Sequence, residues 1–260
     1  MSASTVKVDK KGAIALITFN RPEVFNTLSL ELAMDLLAAA LTCARDPSTR
    51  AVVITGAGQH YCFGGDLKAM ASKGNAAGPY LREAVTYMNA AISQFVRMDA
   101  PVIAAVNGTA AGAGVGFALM ADLIVAAESA KFNLAYTGVG LTPDAGTTFL
   151  LPRTIGAKRA MEMLLLNPSL TADKALEWGL VNRVVPDQNL LSEAMKLAEQ
   201  LASGPLRSFG KSKRLVAQAL GLLESQLVVE GETIATQVGT AEAQEGITAF
   251  LAKRRPTFPS

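Results

Sequence analysis

One aspartate, Asp144, stands in the turn GLTPDAGTT (140–148), between the largely apolar stretches FNLAYTGV and FLLP. Turns favour Asp because its side chain bonds nearby backbone, yet this turn joins two segments whose composition reads as buried. A carboxyl held among apolar side chains titrates above its ordinary range and becomes a useful proton acceptor near neutral pH. Val139, Leu141, Phe149 and Tyr136 are candidates for that setting. The competing reading is a turn cap with no chemistry. Two glycine-rich loops are the other candidates: GAGQHYCFGGDLKAM after the apolar run at 51–55, and NGTAAGAGVG after the run at 102–106. Glycine lets backbone approach a ligand closely, and a helix N-terminus offers unpaired N–H groups. Neither loop has the Lys-Ser/Thr ending of a phosphate cradle, and tight turns with close helix packing are the plain alternative.

The remaining inventory excludes more than it suggests. Two cysteines, Cys43 and Cys62, and one histidine, His60, do not make a zinc set, and any histidine-based triad would have to use His60. The chain of 260 residues is 50% hydrophobic and 18% charged, enough to bury a large core, and its net charge of +2 gives no footprint for nucleic acid. Two reduced cysteines and an opening stretch without an apolar run fit a cytoplasmic protein. From Pro101 to Ala127 the sequence is nearly all apolar, but the Asn107-Gly108 turn signal and Gly112, Gly114 and Gly116 favour strand, turn and buried helix over a membrane span.

The elements that must position these residues alternate. Strands are expected at 13–19, 51–56, 102–106 and 123–127; helices at 29–44, with Ser29 as N-cap, at 80–98 and at 114–121. Leu81, Val85, Met88, Ile92 and Phe95 fall at helical steps on one face. This is α/β layering. After Gly156 the pattern turns mostly helical, and Ser203-Gly204-Pro205 divides a core of 1–203 from a helical region of 204–260. That region carries apolar positions Leu215, Val216, Leu220, Leu222, Leu223, Ile247, Phe250 and Leu251, more than a single subunit is expected to bury.

IAAVNGTAAGAGVGFALMADL (103–123) resembles the signature of the crotonase, or enoyl-CoA hydratase/isomerase, family. NRPEVFNTLS, YCFGGDLKAM, IGAKRAMEMLL, LTADKALEWGLVNRVVP and EGITAFLAKRRPTF agree in order, so the resemblance runs from about residue 6 to 258. It implies a spiral of ββα turns with a C-terminal helical trimerisation region, assembled as a homotrimer or homohexamer. It implies acyl-CoA thioester substrates and no cofactor, coenzyme A being part of the substrate. Carried over by position, the oxyanion donors are the N–H groups of Phe63 and Ala113, aimed at the thioester oxygen. Phe25, Gly64, Gly65, Asp66, Leu67, Gly112 and Tyr136 fall where the substrate and its CoA are bound. His60 is given a loop or CoA-edge role, and Asp66 that of a turn residue beside CoA.

The departures decide the activity. The resemblance places two glutamates of the family's hydratases at Gly116 and Tyr136, and both are missing. Hydration needs one group to activate water and another to deliver a proton. Asp144 occupies the place where isomerases of this family, and aryl-CoA dehalogenases, carry an aspartate. One carboxylate suffices to move a double bond. The expected function is therefore a Δ3/Δ2 enoyl-CoA isomerase or ring-type acyl-CoA isomerase. The alternatives are an acyl- or aryl-CoA hydrolase or dehalogenase with Asp144 as nucleophile, an enoyl-CoA hydratase, and a catalytically silent acyl-CoA-binding scaffold.

Overall fold

The computed structural model describes residues 4–219, 221 and 223–258. β1 (Val6–Lys11) and β2 (Ile14–Phe19) form an antiparallel hairpin. β1 is exposed at five of its six positions; its lysines blunt a sheet edge. With only Val6 and Val8 apolar it gave no strand signal, whereas β2 was expected. α1 (Leu30–Arg45) begins where Ser29 accepts a hydrogen bond from the Leu32 N–H, as an N-cap must. β3 (Ala51–Gly56) then adds parallel to β2.

From β3 onward the chain repeats one unit: a strand of the large sheet, a short strand set against a second sheet, then helix. After β3, Cys62 makes an isolated parallel bridge to Ala110, followed by α2 (Leu67–Ser72) and α3 (Ala77–Arg97). β4 (Val102–Val106), β5 (Thr109–Ala111) and α4 (Ala113–Leu119) make the next turn. β6 (Leu123–Ala127), β7 (Lys131–Asn133), α5 (Thr147–Ile155) and α6 (Ala157–Leu166) make the third. β8 (Leu170–Thr171), α7 (Ala172–Glu177) and β9 (Arg183–Val185) close it. The large sheet runs β1-β2-β3-β4-β6-β9 and the small one β5-β7-β8. β4 is buried along its whole length and β3 up to its last residue, as parallel strands covered on both faces are. The ββα spiral is thus present.

α3 starts at Ala77, three residues before its expected start, because Pro79 sits within the first turn, where no N–H is needed. Its stripe from Leu81 to Phe95 is buried throughout. α8 (Leu190–Ala202) ends just before the expected boundary, and α9 (Leu206–Ala219), α10 (Leu223–Gln237) and α11 (Ala241–Leu251) follow. Among the expected apolar positions here, Leu223 and Ile247 are buried in the core, while Leu215, Val216, Phe250 and Leu251 are exposed. Leu220 and Leu222 lie outside the described residues. α6 also exposes Met161, Leu165 and Leu166. Among the described residues no helix is long and apolar enough to cross a membrane.

Candidate active site

The two glycine loops meet. The first is held from behind by Asn26, whose amide donates to the carbonyls of Ala57 (2.9 Å) and His60 (2.8 Å). At Gly64 (φ +81°) an added Cβ would stand 2.8 Å from the Ala111 carbonyl oxygen and 3.3 Å from the Ala113 nitrogen. Glycine alone permits that approach and that φ. A parallel bridge then forms with Leu28, whose N–H donates to the Gly64 carbonyl (2.7 Å) while its carbonyl accepts from the Asp66 N–H (3.0 Å). In such a bridge the N–H of the residue between points away from the partner, so the Gly65 N–H has no acceptor among the described residues. The Phe63 N–H, expected as the first oxyanion donor, is already given to the Phe25 carbonyl at 3.1 Å. The unspent donor of this loop is that of Gly65. In the second loop Gly112 (φ +51°) caps α4, and the Ala113 N–H, first in the helix, is left unpaired among the described residues.

The neighbours of the first loop divide between scaffold and rim. Asp66 caps α2 through the Ala69 N–H (3.0 Å) and pairs with Arg21 (3.2 Å), and Leu67, half-buried, opens that helix. Phe25, His60 and Phe63 form a partly exposed aromatic trio, with ring centroids 4.7–5.2 Å apart.

Asp144 is buried, with 3% of its surface exposed. The Tyr136 hydroxyl donates to its Oδ1 at 2.6 Å. Burial pushes the Asp144 carboxyl up to about 7, with the negative charge of Glu230 adding to the rise and the Tyr136 hydrogen bond opposing it. Burial and the charge of Asp144 hold the Tyr136 phenol well above its usual range, so it remains a donor. Both side chains hang on strained backbone. Ala135, before Tyr136, has φ +58°, and Ala145, after Asp144, has φ +56°. Left-handed non-glycine residues cost of order 1 kcal/mol and cluster at functional sites. A Cβ at Gly112 would lie 3.8 Å from Tyr136 Cζ, which sets the phenol beside the second loop. At Gly116 an added Cβ would stand 2.5 Å from the Ala145 Cβ and 2.6 Å from its carbonyl oxygen. The place of one missing glutamate is therefore filled by the Asp144 turn, and the place of the other holds the Asp144 partner.

Glu230 was not anticipated. Its carboxylate is buried and accepts from the Gly146 N–H (2.6 Å), the Thr148 N–H (2.8 Å) and the Thr148 hydroxyl. A signal existed: with Leu223, Leu227 and Ile234 it lies on the buried stripe of α10, where a carboxylate needs partners.

A spiral of ββα turns that brings two unpaired backbone N–H groups together, with one buried carboxyl on the adjoining turn, defines a class of acyl-CoA enzymes. The chain belongs to the enoyl-CoA hydratase/isomerase family, whose sequence pattern it matches over residues 9–260. It is 39% identical over 251 residues to a 1,2-epoxyphenylacetyl-CoA isomerase of Escherichia coli (strain K12), covering 96% of this chain and 95% of that one. It is 34% identical over 250 residues to 4-chlorobenzoyl coenzyme A dehalogenase-2 of an Arthrobacter species, covering 95% and 91%. Among solved structures, an enoyl-CoA hydratase from Mycobacterium avium subsp. paratuberculosis K-10 superposes with a TM-score of 0.90 at 32% identity over the whole of both chains.

Proposed function

We propose that this protein isomerises unsaturated acyl-CoA thioesters, moving a double bond between the Δ3 and Δ2 positions or within a ring, with Asp144 as the single proton shuttle. The observation that carries the reading is one buried carboxyl, pushed up to about 7, at a site whose two glutamate places hold Gly116 against Ala145 and Tyr136. The N–H groups of Gly65, in place of Phe63, and of Ala113 receive the thioester oxygen and stabilise the dienolate. Asp144 takes a proton from C2; the electrons delocalise into the thioester; the same carboxyl returns the proton at C4. An acid titrating near 7 is well matched to taking and giving a proton at neutral pH. Tyr136 orients Asp144 and stays protonated. The aromatic trio of Phe25, His60 and Phe63 borders the CoA. The name of the Escherichia coli relative supports a ring-bearing acyl group.

No cofactor enters this reaction. Assembly as a trimer or hexamer belongs to the same reading, supported by the exposed Leu215, Val216, Phe250 and Leu251. So does a cytoplasmic site of action, supported by two buried free cysteines.

The second reading, Asp144 as a nucleophile toward an aryl- or acyl-CoA, is favoured by the dehalogenase relative. Parallel assays separate the readings. Isomerisation of a 3-enoyl-CoA much faster than hydration of crotonyl-CoA is expected, with no acyl or aryl mass on Asp144 after a single turnover. Hydration at the rate of isomerisation, or a covalent aspartyl adduct, would overturn the proposal.

A further inference from the structure

We propose that Glu230, reaching from the C-terminal helical region, is a positioning residue for Asp144: its buried carboxylate locks the Asp144 turn and sets a second negative charge beside the shuttle. This inference rests on the proposed role of Asp144. Glu230, like Asp144, is 3% exposed. It takes both the Gly146 and Thr148 N–H groups, the donors that follow the left-handed Ala145 and open α5. A third donor, the Thr148 hydroxyl, is itself held by the Gln226 side chain at 2.7 Å. Burial raises the Glu230 carboxyl, and the hydrogen bonds from Thr148 and Gly146 oppose that rise by favouring its ionised form.

Geometry of this kind does two things at once. It holds Ala145 in an unfavourable conformation that aims Asp144 at Tyr136, and it makes ionisation of Asp144 harder, because two buried like charges repel. The Glu230 charge is among the causes that raise Asp144. Among the other titratable neighbours, Tyr136 and Cys62 are kept neutral by burial. Arg153 on α5 carries a positive charge, lies over the Phe149 ring and donates to the Phe149 carbonyl. Glu224, half-buried, and Glu232, exposed, are paired on α10 with Arg97 and Arg82 of α3.

The test is the acid limb of kcat/KM against pH in two variants. In Glu230→Gln the limb should move to lower pH, toward the ordinary carboxylate range, with acyl-CoA affinity kept. In Thr148→Val, which keeps the carboxylate and removes one of its three donors, the limb should move less than in Glu230→Gln. An unmoved limb in Glu230→Gln, or an equal shift in Thr148→Val, overturns the inference. Should Glu230→Gln fail to fold, the wild-type Asp144 carboxyl 13C signal, assigned by its loss in Asp144→Asn, is followed instead. A second inflection shared with Glu230 supports coupling, and a single-step curve refutes it. Full turnover by Asp144→Asn would instead sink the shuttle role, while the carboxyl titration still reads the coupling.

Discussion

Replacing Asp144 by asparagine should stabilise the protein at and above neutral pH. Burial pushes the folded-state carboxyl from its ordinary 3.8 up to about 7. The folded chain therefore holds this proton more tightly than the unfolded chain. Its contribution to stability is complete below about pH 4, declines as pH rises toward 7, and is gone above it. A rise of about three pH units, at about 1.4 kcal/mol each, amounts to about 4 kcal/mol. Asparagine keeps an oxygen for the Tyr136 hydroxyl but does not titrate. The advantage of Asp144→Asn over wild type should therefore open between pH 4 and 7 and reach about 4 kcal/mol at pH 8. Urea unfolding of both proteins at a series of pH values measures it, and the offset at pH 4 removes any difference unrelated to ionisation. Stability curves that run parallel from pH 4 to 8 would show that Asp144 ionises without penalty, and the reasoning from burial would fail.

Two further substitutions probe the same site. Tyr136→Phe removes the hydrogen bond that opposes the rise in Asp144, so the acid limb of kcat/KM should move to higher pH, while the carboxylate left without its donor costs roughly 1–3 kcal/mol of stability at alkaline pH. Gly116→Glu restores one hydratase-type glutamate in sequence, but its Cβ meets Ala145 at 2.5 Å. Thermal unfolding should show a loss of roughly 1–3 kcal/mol from overpacking, isomerisation should fall, and hydration of crotonyl-CoA should not appear.

Much of this was legible in the sequence for identifiable reasons. β3, β4 and β6 are short apolar runs because parallel strands bury both faces. Asp144 stood out because apolar segments flank its turn. Other features are set by pairing rather than by residue type. Phe63 and Gly65 are two residues apart, and the Phe63 bond to the Phe25 carbonyl together with the Gly65 bridge to Leu28 decides which N–H remains unspent. β5, β7 and β8 have three, three and two residues, too few for any periodicity. Glu230 meets the Asp144 turn across more than eighty positions, so its burial was visible in the stripe of α10 but its partners were not.

The central claim, a single carboxyl shuttling one proton over an oxyanion site built from backbone, is tested most directly by Asp144→Asn in single turnover. Purified variant and wild type are mixed with a 3-enoyl-CoA, the 2-enoyl product is followed, and acyl-CoA affinity is measured by calorimetry. Loss of one general base costs roughly 100- to 10,000-fold, while the Gly65 and Ala113 N–H groups remain in place. The account predicts a fall of that size with nearly unchanged affinity. A variant that keeps most of its turnover would contradict it and return Asp144 to the role of a turn residue.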